Sequence, residues 1–300
     1  MTNALALVAI LSVVSAGRAD AQPAKLDTAR IEEITGLKGS FIEQEGVFKV
    51  TSARTDVKIA VDGWTMPPFM GLTSWASFHS TASGKAMVMG DLVLFQDEVN
   101  PVLSELLEAG LEVTALHNHF FYDEPRVYFM HIGGEAPADG LARGVRRALD
   151  KVKEIRTRAA TPAAGFGGPA LPQTSTISSK LIEDVLGVKG QANSGMFKVV
   201  IGRTAKAHGG HEVAKEMGVN TWAAFAGSDD NAVVDGDFAM LEEELQGVLK
   251  ALRKADINIV AIHHHMAGET PRILFLHYWG RGSTAILARG LKTALDSQKK

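Results

Sequence analysis

The sequence predicts an α+β fold made by tandem duplication: one domain with antiparallel hairpins and packed helices, present twice. Three observations carry this. First, matching segments recur down the chain. Gly36-Leu37-Lys38-Gly39 answers Gly187-Val188-Lys189-Gly190, and Gly46-Val47-Phe48-Lys49 answers Gly195-Met196-Phe197-Lys198. Trp75-Ala76-Ser77-Phe78 answers Trp222-Ala223-Ala224-Phe225, Gly90-Asp91 answers Gly236-Asp237, and Leu141-Ala142-Arg143-Gly144 answers Leu287-Ala288-Arg289-Gly290. A repeat this long is domain-sized, not a solenoid unit. Second, a Pro/Gly-dense stretch around Thr161 to Pro172 separates the copies. Third, strand-like alternation and helix-like periodicity interleave within each copy.

The elements follow in order. Residues 1–21 read as an export signal: Leu5 to Ala16 is apolar but short for a bilayer span, and Ala19-Asp20-Ala21 is a small-x-small cleavage pattern before Gln22. Cleavage after Ala21 would leave a periplasmic or secreted protein with no transmembrane segment in the mature chain. Residues 22–156 form the first repeat, 157–178 the linker and 179–300 the second repeat. Each repeat opens with a short helix, Thr28 to Ile34 or Ser179 to Leu186. In the first copy, extended stretches follow at Phe48 to Ala53, Val57 to Val61, Ser74 to His79 and Ala86 to Phe95. Helical periodicity covers Asp97 to Ala109 and Leu241 to Ala255. A hairpin comes next in each copy, and helices over Pro137 to Ile155 and Thr284 to Ser297 close them.

Composition narrows the function classes. Hydrophobic residues make up 46% and charged residues 22% of the chain, the balance of an ordinary globular protein. A net charge of -3 provides no electrostatic footprint for nucleic acid. With no cysteine, disulfides, thiolate metal sites and cysteine nucleophiles are excluded, and any metal must be held by nitrogen and oxygen.

The hairpins carry the chemistry. His117, His119 and His131 recur with identical spacing as His263, His265 and His277. Strand period puts His117 and His119 on one face, roughly 7 Å apart. A hairpin symmetric about Glu124 sets His117 opposite His131 and His119 opposite Phe129; symmetry about Thr270 does the same for His263, His277, His265 and Phe275. The face continues through Leu111, Val113 and Ala115, which predicts partly buried imidazoles. Burial disfavours their protonation and leaves the neutral form a divalent metal needs. Glu98 and Glu244, at equivalent helix starts, are the expected completing ligands, with Asp91 and Asp237 in reserve. Three His and a carboxylate suit Zn²⁺ first, with Cu²⁺, Mn²⁺ or Fe²⁺ as alternatives. The pattern is not HExxH, so a zincin mechanism is not supported.

In its motifs the chain resembles the LppY/LpqO family, exported bacterial proteins with a domain of unknown function. The resembling stretches include Gly71-Leu72-Thr73-Ser74-Trp75, Gly90-Asp91-Leu92-Val93-Leu94, Asp97-Glu98-Val99-Asn100-Pro101-Val102, Ala115-Leu116-His117-Asn118-His119 and Pro271 to Trp279. The resemblance implies architecture and export, and no chemistry. Some members are lipoproteins, but a chain without cysteine has no lipobox. The second copy reads Glu243-Glu244-Leu245-Gln246-Gly247 where the first has Asp97 to Pro101, which directs attention to the first copy.

The leading expectation is an exported divalent-metal-binding protein with a three-His-plus-Glu site per repeat. A metal-dependent hydrolase and a metal-handling or resistance protein both fit, and enzymatic activity is left open. The alternative is a non-metal module, with structural histidines, that binds a small-molecule or envelope ligand.

Overall fold

The computed structural model describes residues 25–298; the expected export signal lies outside them. The first repeat runs α1 (Thr28–Thr35), β1 (Gly39–Ile42), β2 (Val47–Ala53), β3 (Ala60–Val61), β4 (Trp64–Thr65), β5 (Thr73–Ser80), β6 (Ala86–Phe95), α2 (Gln96–Glu108), β7 (Glu112–His117), β8 (Asp123–Glu124), β9 (Val127–Ala136) and α3 (Ala138–Arg158). The second runs α4 (Ser179–Leu186), β10 (Gly190–Asn193), β11 (Met196–Gly202), β12 (Ala205–Lys206), β13 (Glu212–Val213), β14 (Asn220–Gly227), β15 (Ala232–Leu241), α5 (Leu245–Lys254), β16 (Asn258–His263), β17 (Ile273–Gly282) and α6 (Thr284–Ser297).

The expectation of an α+β pair of tandem domains is corrected here. The dominant feature is a single antiparallel sheet of 12 strands that runs through both repeats, ordered β1-β2-β5-β6-β9-β7-β16-β17-β15-β14-β11-β10. The duplication is intact, since each half of that order mirrors the other about the β7–β16 seam. The physical reason lies in the edges. Standing alone, each repeat would end at an unpaired strand, β7 or β16, and an open edge is satisfied by pairing. Periodicity within a repeat says nothing about which edge meets which.

The seam is narrow: Leu116 faces Ile262, and no other β7–β16 partner pair forms. Beyond it, side-chain amides replace the ladder. Asn100 of α2 donates to the Ile259 carbonyl at 3.0 Å and accepts the Ile259 N–H at 2.7 Å. Gln246 of α5 does the same for Val113, at 2.9 and 3.1 Å. Each repeat thus satisfies the other's backbone where the strands splay.

The sheet buries both faces differently. Leu92, Leu94, Met130, Ile132 and Leu116 join Leu103, Leu106, Leu141 and Val145 of the helices in the main core, continuous with its second-repeat counterpart. The alternate residues Val93, Phe95, Val127 and Phe129 point the other way, against Ile59, Met66 and Leu72 of the β2–β5 excursion. In the second repeat Ala239, Ile273 and Phe275 meet Ala205, Val213 and Val219. Phe129 and Phe275 are 1% and 0% exposed, and burying each contributes about 1.5–3 kcal/mol. These small cores anchor the face on which the histidines stand.

Two details of the hairpin differ from expectation. The register is centred on Asp123 and Glu269, not on Glu124 and Thr270: His117 pairs with Phe129 and Ala115 with His131, while His263 pairs with Phe275 and Ala261 with His277. The cause is local. The Asp123 carboxylate accepts the Val127 N–H at 2.6 Å and that of Glu269 accepts the Ile273 N–H at 3.1 Å, which fixes the start of the return strand. Moving the centre by one residue shifts the pairing by two, so every side chain keeps its face. The apolar-face expectation also needs correction. Pairing skips Thr114 between Val113 and Ala115, and Val260 between Ile259 and Ala261. Each bulge swaps the faces, so Val113 lies in the helix-side core while Ala115 and His117 look away from it.

Candidate metal centre

On the face opposite the helices, cross-strand pairing lines up one row per repeat. Trp75 faces Asp91, Asp91 faces His131 and His131 faces Ala115. The second row reads Trp222, Asp237, His277 and Ala261. The glycine before each aspartate has a packing reason. A Cβ at Gly236 would stand 2.1 Å from the Tyr278 hydroxyl, which crosses there to donate to the Trp222 carbonyl at 2.8 Å. At Gly90 it would stand 2.6 Å from the Trp75 carbonyl.

In the second repeat the ring of His265 lies flat on Phe275, centroids 3.5 Å apart, and that of His263 stacks on His277 at 4.7 Å. This brings His263 Nε2 to 3.1 Å from His265 Nε2, and His265 Nε2 to 3.2 Å from Asp237 Oδ2. The ligand atoms of Asp237, His263 and His265 all lie within 4.8 Å of one another. His277 is outside that group; its Nδ1 contacts the Gly236 carbonyl at 3.3 Å.

Protonation sharpens this geometry. His265 Nδ1 is 3.2 Å from the Gly218 carbonyl, a contact that requires a hydrogen on Nδ1. A neutral His265 therefore aims the Nε2 lone pair at Asp237 and His263. Burial, then the neighbouring His277 and His265, push His263 down to about 4. Asp237 is 3% exposed, and burial raises its carboxyl against the pull of His277 and His265. Asp237 Oδ1 and His263 Nδ1 are buried without hydrogen-bond partners. A cluster of lone pairs with orphaned polar atoms beside it is a donor set that suits a divalent cation.

The first repeat is similar but looser. His117 and His119 bring their Nε2 atoms to 3.2 Å, His119 stacks on Phe129 at 3.3 Å, and His131 stacks on His117 at 5.2 Å. Burial lowers His117 first, then His119 and His131 lower it further, opposed by Asp91; burial also lowers His119. Asp91 Oδ1 is buried and unpartnered, yet among the described residues no ion pair joins Asp91 to an imidazole. The fuller Asp97-to-Pro101 pattern does not make this copy the better-built site.

Glu98 and Glu244 are not brought to the histidines as ligands, a correction to the expected set. Glu98 is fully buried, and both its oxygens are engaged by Arg54 (2.6 and 3.0 Å), the Phe95 N–H (2.8 Å) and Arg156 (2.9 Å). Glu244 binds Arg203, the Leu241 N–H at 2.8 Å and Gln298 at 3.0 Å. Glu98 is the third residue after the N-cap of α2, and Glu244 the third after the N-cap of a 3-10 turn, Glu242–Glu244, that leads into α5; each reaches back to cap its turn. The acidic residue beside the imidazoles is the reserve aspartate. Asp97 pairs with Arg156, and Asn100 serves the seam, so the distinctive stretch in the first copy is structural.

No helix among the described residues is long and apolar enough to cross a membrane. No curated protein matches the chain. Two solved bacterial microcompartment shell proteins are similar to the chain. The double-ringed trimeric shell protein MSM0271 from the RMM microcompartment is 14% identical at a TM-score of 0.19, covering 74% of this chain and 83% of that one. The trimeric shell protein PduB is 12% identical at a TM-score of 0.20, covering 86% and 89%. Such scores carry no fold across. Residues 29–151 and 180–297 match the family described as Domain of Unknown Function (DUF1259), and the chain belongs to that family, with the domain present twice.

Proposed function

We propose that this protein binds a divalent metal ion, principally in the second repeat, through Asp237, His263 and His265, with His277 stacked behind them. The observation that carries the proposal is His265: its Nδ1 faces the Gly218 carbonyl, so Nε2, the lone-pair nitrogen of the neutral ring, faces Asp237 Oδ2 at 3.2 Å and His263 Nε2 at 3.1 Å. A cation between those atoms turns mutual repulsion into coordination. Imidazole and carboxylate donors suit Zn²⁺ first, with Cu²⁺, Mn²⁺ and Fe²⁺ as competitors. The first repeat, with no Asp91–imidazole ion pair among the described residues, is the weaker site and is read as secondary.

Element analysis of tag-free protein, dialysed after reconstitution with Zn²⁺, Cu²⁺ or Mn²⁺, tests the proposal. About one equivalent of metal, lost on replacing His263 and His265 by Ala, is the expected result. Metal content indistinguishable from zero overturns it. Water-proton relaxation on the Mn²⁺ form separates a hydrolase-type open site, with exchangeable water, from a closed handling site. We also read the chain as exported and akin to LppY/LpqO proteins, on Leu5 to Ala16 and the Ala19-Asp20-Ala21 pattern. N-terminal sequencing of protein recovered from the cell envelope should begin at Gln22.

A further inference from the structure

The duplicated segments include two residues that the metal centre does not use. Lys49 lies 4.4 Å from the Trp75 ring, and Lys198 lies 4.1 Å from the Trp222 ring. Both pairs belong to the internally matched stretches, and both tryptophans face the aspartate of the row. An ammonium over an indole face is held by the ring quadrupole without being neutralised. Among the described residues the Lys198 ammonium has no carboxylate partner and rests on the Trp222 ring.

In the second repeat this lysine shares one cavity of about 630 Å³ with two of the three proposed metal ligands, Asp237 and His265; Lys189, Lys215, Glu216 and Trp222 also line it. Lys189 is paired with Glu183 at 2.7 Å and Lys215 with Glu216 at 3.2 Å. Lys198 is left with its charge available. Asp237 is the carboxylate nearest the imidazoles, so a bound cation takes it up and leaves the cavity positive.

We infer that this cavity binds a small oxyanion ligand, a carboxylate or a phosphate, held between the metal ion and the Lys198 ammonium. The inference rests on the metal-binding reading and names the class of ligand that site takes. Trp222 fixes the height of the ammonium above the sheet, and the metal supplies the second point of attachment. Two fixed cationic points select an anion by charge and by length.

The test uses the full chain, zinc-loaded and dialysed free of excess metal, titrated calorimetrically with inorganic phosphate and, separately, with oxalate at constant ionic strength. The same titrations are run on Lys198→Met, which keeps the aliphatic stem on an exposed position. The expected result is binding of at least one anion to the wild type, weakened about tenfold or more in K198M, with zinc content unchanged. Phosphate binding alone assigns a phosphate ligand, and oxalate binding alone a carboxylate. Absence of both from zinc-loaded wild type, or equal binding by K198M, overturns the inference while leaving the metal site standing. If the wild type takes up no zinc, the metal reading fails by itself. Lys198-dependent anion binding to the metal-free chain would then keep the anion site, and its absence would sink both.

Discussion

His265 Nε2 stands 3.2 Å from Asp237 Oδ2, while the Gly218 carbonyl on the other side of the ring takes the Nδ1 hydrogen, so in the neutral imidazole the nitrogen facing the aspartate carries the lone pair. Asp237→Asn preserves shape and removes the anionic donor. It should lower zinc occupancy by about one equivalent, read by element analysis after dialysis, with the far-ultraviolet circular dichroism unchanged. Full retention of zinc would remove Asp237 from the ligand set.

The two repeats should fill unequally. With one equivalent of zinc per chain, imidazole resonances of His263 and His265 should shift before those of His117 and His119. The reason is that, among the described residues, the second repeat alone brings a carboxylate into contact with a carbonyl-oriented imidazole. Simultaneous shifts at both pairs would contradict this order.

Glu98→Gln separates stability from metal binding. It leaves the buried guanidiniums of Arg54 and Arg156 without their shared carboxylate. Breaking a buried pair from one side costs about 3–5 kcal/mol. Urea unfolding should show that loss, while zinc content stays at the wild-type level. A loss of zinc without a loss of stability would reinstate Glu98 as a ligand.

Glu244 gives a pH signature. Burial alone would raise its carboxyl, but Arg203, the Leu241 N–H and Gln298 outweigh that and hold it below the ordinary value of 4.5. A folded-state value below the unfolded one means stability that is fully present above pH 4.5 and lost as pH falls through the folded value. The stability gap between wild type and Glu244→Gln should therefore shrink on acidification from pH 7 to about 3. A gap constant with pH would show that the ion pair contributes nothing.

Asn100→Ala should cost about 1–3 kcal/mol, because it strands the buried N–H and carbonyl of Ile259. Amide hydrogen exchange at Ile259 should accelerate more than at Val113, whose partner is Gln246. Equal acceleration at both would mean that the two clamps open together.

Much of this was legible in the residues. The matched segments and the linker composition showed the duplication, and helical periodicity placed α2 within a residue of its Gln96–Glu108 bounds. Strand period put each His-x-His pair on one face, and that outcome survived a two-residue change of pairing. Three things were not legible. The single sheet depends on β7 meeting β16, a long-range choice that leaves no periodic trace. The bulges at Thr114 and Val260 reverse the faces without any glycine to mark them. The role of Glu98 was hidden because its N-cap is Phe95, so the Ser/Thr that signals a capping box is missing. The Lys–Trp pairs were visible as repeated identities, but the cross-strand register was needed to set them beside Asp91 and Asp237.

The seam has a consequence for how the two halves live together. Leu116 against Ile262, with Asn100 and Gln246 reaching across in mirrored fashion, has the geometry of an isologous contact between two like subunits. Fused in one chain, that contact closes intramolecularly and no longer depends on protein concentration. A symmetric dimer must carry every change on both sides of its axis, whereas a fused pair need not. The contact of His265 with the Gly218 carbonyl and the cavity beside it can belong to one half, while the other keeps the seam closed.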